Sequence, residues 1–233
     1  MNGTPGISII IPVLNEADGI VRLLEPLQDF RAQGAEIIII DGGSTADTVN
    51  LASQLADSVR LAPRCRGIQM NAGAAMAQGR VFLFLHADTH LPSAALNLIE
   101  QAVHDGDVWG RFDVRIEGSS RGLGMVGFMM NWRSRLSGIA TGDQAIFVTR
   151  EAFCCVGGFP DIPLMEDLVF SRAMRTIARP ACLREKVTTS GRRWEANGLI
   201  RTILAMWWLR LRFYLGGNPN GLAQEYGYVP RER

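Results

Sequence analysis

Three short apolar runs constrain this chain more than any other feature: Ile7–Val13 (ISIIIPV), Glu36–Ile40 (EIIII) and Val81–Leu85 (VFLFL). Each is continuously apolar over most of its length and rich in large or β-branched side chains. That marks a strand covered on both faces. Stretches of helical spacing lie between them: Ala17 to about Gln33, Thr45 to about Ala56, and Gly67–Ala77. In the first of these Ile20, Leu23, Leu24 and Leu27 share one side. Val59–Leu61 fits a short further strand and Ser93–Val103 another helix. This rhythm predicts an α/β fold with a mostly parallel sheet flanked by helices. Ligands of such sheets bind beyond the carboxyl ends of the strands. Here those ends read Asn15-Glu16, Asp41-Gly42-Gly43 and His86-Ala87-Asp88.

Beyond about residue 105 the rhythm changes. Val108–Ile116 alternates like a half-exposed strand, and Gly122–Trp132 is rich in glycine and methionine. Ala145–Val148 and Cys182–Val187 read as strands, Met165–Ile177 as a helix, and Leu199–Leu215 as a long apolar helix. With 233 residues, 47% hydrophobic and 20% charged, the chain can bury a full core. We expect one domain over 1–233, its two halves sharing a sheet. The net charge of +1 argues against a protein built to grip nucleic-acid backbone. The positive charge is nearly all arginine, Lys186 being the one lysine. Cys65, Cys154, Cys155 and Cys182 form no C-x-x-C pair, and no charged leader opens the chain. Both features fit a reduced, cytoplasmic chain whose cysteines are mostly small core residues. No apolar run approaches the roughly 20 residues that span a bilayer.

Several polar groups stand where chemistry would be done, each with a plainer alternative. Asn15 either caps the following helix or wraps a nucleoside. Ser44, Thr45 and Asp47 read as capping residues, but capping leaves Asp41 unexplained. A carboxylate at the end of a buried strand suits a base N–H or a ribose hydroxyl. His86 and Asp88 lie two apart, so in an extended segment they point the same way and could share a metal ion. Glu166-Asp167 opens a helix, where acids suit the dipole, yet adjacent acids also raise one another's pKa and make a general base. Arg192, Arg193 and Trp194, with Arg64 and Arg66, offer guanidinium groups for phosphate or ordinary surface charge. The helix Leu199–Leu215 is apolar nearly all round, which fits a core, an oligomer or a lipid surface.

In order, IIIPVLNEA (9–17), IIIIDGGSTADT (37–48), NAGAAMAQG (71–79), FLHADT (84–89), GDQAIF (142–147), GGFPDIPLMEDLVFSRAMR (157–175) and RRW (192–194) resemble the family 2 glycosyltransferases of the GT-A fold. The HADT, GDQ and MEDLVFSR forms are similar to those of a compact bacterial subfamily. The resemblance implies a Rossmann-like nucleotide-binding half to about residue 105 and an irregular acceptor half over about 106–233. It implies inverting transfer of a sugar from a UDP- or GDP-linked donor to an acceptor hydroxyl. Pro12, Asn15, Glu16, Asp41, Gly43, Asn71 and Gly73 would shape the nucleotide site, Arg192, Arg193 and Trp194 would hold the diphosphate or the acceptor, and Arg66 could aid at the diphosphate. Asp88 would bind a divalent metal, Mn²⁺ or Mg²⁺, with His86 where the family usually has the first Asp of D-x-D. Asp167, or Glu166 beside it, would be the base, and Asp143 and Gln144 would meet sugar hydroxyls. The acceptor stays open and includes a lipid-linked one. The C-terminal helix would dock on the inner face of a membrane or on a second copy. A sugar-phosphate nucleotidyltransferase is disfavoured, because Pro12–Glu16 stands where a glycine-rich basic loop would be. A silent scaffold built on the same fold is the other alternative.

Overall fold

The computed structural model describes residues 6–45 and 47–228. The first half runs β1 (Ile7–Val13), α1 (Ala17–Ala32), β2 (Glu36–Asp41), α2 (Thr48–Ser53), β3 (Ser58–Leu61), α3 (Arg66–Met76), β4 (Val81–Phe84), β5 (Thr89–His90) and α4 (Ala95–His104). The second runs β6 (Trp109–Glu117), α5 (Leu123–Ser137), a 3-10 turn (Gly142–Gln144), β7 (Ile146–Thr149), α6 (Arg150–Val156), α7 (Glu166–Met174), β8 (Ala181–Ser190), α8 (Arg192–Asn197), α9 (Leu199–Tyr214) and α10 (Pro219–Glu225).

All eight strands join one sheet in the order β3-β2-β1-β4-β7-β6-β8-β5. Strands β1 to β4 are mutually parallel, as their uninterrupted apolar runs predict. Strand β7 enters antiparallel between β4 and β6, and β8 returns parallel to β6. The α/β class read from the sequence is therefore the one observed.

Strand periodicity sorts the apolar residues onto two faces. Ile9, Ile11, Ile37, Ile39 and Leu83 face Leu23, Leu24 and Leu27 of α1 and Ile99 of α4. Ile10, Ile38, Ile40, Phe82 and Phe84 face Met70 and Ala74 of α3, Phe153 of α6 and Phe170 of α7. Burying each such side chain contributes about 1.5–3 kcal/mol. Gly73 lets α3 settle on this face, since a Cβ there would overlap Ile10 Cγ2. A third, smaller cluster joins Leu164, Met165 and Leu168 to Leu209 of α9 and Leu222 of α10. It folds the end of the chain back over the carboxyl ends of the strands.

Three local expectations are corrected and one unassigned stretch is placed. Helix α2 starts at Thr48, not Thr45, because Ser44 and Thr45 are drawn into contacts with Asp41 and Asn15. The Gly122–Trp132 stretch, read from the sequence only as rich in glycine and methionine, is the N-cap and first part of helix α5. There Gly127 passes close to the β6 carbonyl of Val114. Cys65 alone among the cysteines is buried, while Cys154 and Cys155 are exposed. Helix α9 is not a core helix: only Thr202 and Leu209 are buried, and Leu204, Trp207, Trp208 and Leu211 are exposed. No helix among the described residues is long and apolar enough to cross a membrane.

Candidate active site

Beyond the carboxyl ends of β1 and β4 lies a cleft of about 650 Å³, walled by α3, α5, α7, α9 and the segment after α10. Its floor is built by loops that brace one another. Asn15 sits at φ 54°, outside helical geometry, and its Oδ1 accepts the Thr45 N–H at 2.8 Å. The Asn15 N–H in turn donates to Ser44 Oγ at 2.8 Å. Asp41 is buried, and its carboxylate accepts from the N–H groups of Gly43 and Ser44 and from the Ser44 hydroxyl. Buried Gln69 of α3 donates to the carbonyls of Val13 and Ile40, tying the ends of β1 and β2 together. Nothing in the sequence pattern singled Gln69 out, because an amide on a helix face carries no motif.

The cleft brings together Pro12, Glu16, Arg66, His86, Asp88, Asp143, Glu166, Asp167, Arg193 and Trp194 from the sequence reading. Asn15, Asp41, Gly43, Asn71, Gly73, Gln144 and Arg192 are not on its wall. Asn15, Asp41 and Gly43 form the braced loops behind it. Asn71 bonds the N–H and C=O of Phe159 at 2.9 and 2.8 Å, and Gly73 packs on β1. Gln144 is fully buried and closes a reciprocal cap with Thr141. Arg192 is exposed and lies 4.0 Å from Glu16. Asn15 does not cap α1, whose N-cap is Glu16.

The acids differ in their surroundings. Glu166 is buried, and its desolvation together with the neighbouring Asp167 charge pushes its carboxyl up to about 7, against the pull of Arg66. Asp167 is half-buried, and the N–H groups of Gly142 and Leu168 orient its two oxygens at 3.0 and 2.8 Å. Partial burial raises the Glu16 carboxyl, opposed first by Arg192. Loss of water would raise Asp143 as well, but its hydrogen bond to His86 and the charges of His86 and Arg66 outweigh that and lower it.

His86 has a different partner from the one expected. Its Nδ1 lies 3.2 Å from Asp143 Oδ1. Its Nε2 packs against Gly142, where a Cβ would overlap the ring. His86 is thus held against the 142–144 turn by one hydrogen bond and by close packing, while the Asp88 carboxylate accepts only from the Thr89 hydroxyl, at 3.4 Å, among the described residues. Among the described residues no three His, Cys, Asp or Glu side chains group as a closed metal cage. One or two carboxylates plus substrate phosphate oxygens are the ordinary environment of Mg²⁺, so the donor set fits a metal shared with a ligand.

Arg193 donates to the Tyr226 carbonyl at 2.6 Å and stacks on the Tyr226 ring at 3.4 Å. Arg64 stacks on Tyr228 at 5.4 Å. The segment Tyr226–Tyr228 is thereby fastened over the cleft. The sequence reading also missed Arg133, Arg210 and Tyr226 as wall residues.

The family model described as glycosyl transferase family 2 matches residues 8–157. An uncharacterized glycosyltransferase of Mycobacterium tuberculosis is 27% identical over 93% of this chain and 88% of its own length. The uncharacterized glycosyltransferase YibD of Escherichia coli is 32% identical over 45% of this chain, a match that spans 33% of YibD. Among solved structures, S. aureus TarS in complex with UDP-GlcNAc superposes with a TM-score of 0.64 at 18% identity, over 79% of this chain and 58% of that one. The mannosyltransferase PcManGT from Pyrobaculum calidifontis, in complex with GDP-Man and Mn²⁺, gives 0.60 at 19% identity over 80% and 57%. The chain thus spans little more than half of these structures.

Proposed function

The chain belongs to glycosyl transferase family 2, and from that premise we propose that it moves a sugar, with inversion, from a UDP- or GDP-linked donor to an acceptor hydroxyl. The observation that carries this reading is the convergence of Asp88, Glu166, Asp167, Arg66 and Arg193 on one cleft beyond the ends of β1 and β4. The donors named for the two superposed structures, UDP-GlcNAc and GDP-Man, support a nucleotide-sugar ligand.

In this reading the nucleoside lies against Pro12 and Glu16, supported from behind by the Asn15, Asp41 and Gly43 loops. Asp88 would hold a divalent metal, Mn²⁺ or Mg²⁺, whose bound charge would offset that of the leaving diphosphate. Arg66 and Arg193 face the same negative charge with guanidinium groups. Asp167 accepts the acceptor hydroxyl's proton, since it is the more accessible of the two acids and its oxygens are already oriented. Glu166 lies beneath as a buried carboxyl. His86 holds the 142–144 turn, and through it Asp143, toward the acceptor. A single base opposite the leaving group suits inversion, as in inverting glycoside hydrolysis with a hydroxyl in place of water.

The test is Asp167→Asn, assayed for transfer and for nucleotide binding in parallel. Transfer should fall by about 10²–10⁴-fold with nucleotide affinity retained. Normal turnover would remove Asp167 from the role of base.

A further inference from the structure

Two guanidinium groups on the acceptor side of the cleft have no hydrogen-bond or ion-pair partner among the described residues. Arg133 projects from α5 and Arg210 from α9, and both line the cavity. Arg133 Nη2 and Arg210 Nε are buried without a hydrogen-bond acceptor among the described residues. Neither side chain joins an ion pair there. Arg64 Nε at the cleft is left in the same way, although that guanidinium stacks on Tyr228, whereas two other arginines are bonded. Arg111 bonds Ser134, Asp113 and the Asn131 carbonyl, and Arg150 bonds the carbonyls of Ala77 and Gly79. Burial, and then the like charge of Arg210, push Arg133 down to about 10, with Asp167 the acid that most opposes them. Two cations beside the proposed base, neither in an ion pair among the described residues, suit a bound anion.

The surrounding wall says what carries that anion. Val126, Met129 and Met130 of α5 and Ile203, Met206 and Trp207 of α9 line the same cavity. The same two helices also expose Phe128, Trp132 and Trp208. A phosphate on a polar sugar would leave this wall unmatched, whereas an apolar chain would cover it.

We propose that Arg133 and Arg210 form an anion subsite, separate from the donor diphosphate site, that receives the phosphate of an amphiphilic acceptor. The proposal rests on the glycosyl-transfer reading and names the acceptor's class. The two cations recognise the head group, and the apolar faces of α5 and α9 receive the chain.

Calorimetric titration with inorganic phosphate and with monomeric decyl phosphate tests it, using the wild type, Arg133→Met and Arg210→Met. The wild type should bind both, decyl phosphate tighter by about tenfold or more. Each variant should lose about tenfold in decyl phosphate affinity. Both variants should melt no lower than the wild type, because each removes an unpartnered buried cation. Equal affinities for the two probes would overturn the amphiphile. Undiminished binding by the variants, or variants that melt lower, would overturn the subsite. UDP and GDP titrated into the same wild-type sample separate the levels. Nucleotide binding without decyl phosphate binding overturns this proposal alone, and absence of both overturns the glycosyl-transfer reading beneath it.

Discussion

Replacing Glu166 by glutamine should stabilise the protein at pH 8 and change little near pH 4.5. Glu166 is 4% exposed, and burial with the Asp167 charge raises its carboxyl from 4.5 to about 7 in the folded chain. Below pH 4.5 the folded and unfolded chains both hold the proton, and full stability is present. As pH rises from there the unfolded chain releases it first, so stability is lost until about pH 7 and is then flat. A shift from 4.5 to about 7, at about 1.4 kcal/mol per unit, sets a ceiling of about 3.5 kcal/mol for that loss. Glutamine, neutral throughout, escapes it. For a chain of this size each kcal/mol moves Tm by about 2–4 °C. Thermal melts of both proteins in metal-free buffer across this range provide the assay. The two Tm curves should converge at the acid end and separate by several degrees above pH 7. Parallel curves, or a variant less stable at pH 8, would refute a destabilising ionised Glu166.

Three further predictions concern the frame around the cleft. Asp113→Ala strips fully buried Arg111 of its carboxylate and frees Arg135, so unfolding in urea should reveal a loss of about 3–5 kcal/mol. Gly142→Ala puts a methyl into the His86 ring, so transfer should fall and the His86 NMR signals should move; unchanged signals would contradict the packing. Asn71→Leu abandons both bonds to Phe159, and a stability loss of about 2 kcal/mol or more should appear in the same urea assay.

The strands were legible because burial on both faces forces long apolar runs. Ile7–Val13 carries that signature and has its observed bounds. Helix α5 was illegible because its glycines and arginines answer to β6 and the cleft, contacts made far away in the chain. The site shows the same division. Glu166, Asp167 and Asp88 announce themselves by standing at element ends. Asp41 also stands at a strand end, yet it turns its carboxylate to its own loop and leaves the wall to neighbours. His86 was read as Asp88's companion from strand alternation, but β4 ends at Phe84 and the ring turns to Asp143. Arg133 and Arg210 stand in sequence only beside apolar runs, and it is the packing of α5 and α9 that sets them in one cavity.

Calorimetric titration of UDP, GDP and their sugar conjugates, with and without Mn²⁺, into the wild type and Asp88→Asn tests the donor site most directly. One nucleotide class should bind, gain about tenfold or more from Mn²⁺, and lose that gain in Asp88→Asn. Binding of no nucleotide under any condition would contradict a nucleotide-sugar site in this cleft, and a gain from Mn²⁺ that survives Asp88→Asn would contradict the role given to Asp88.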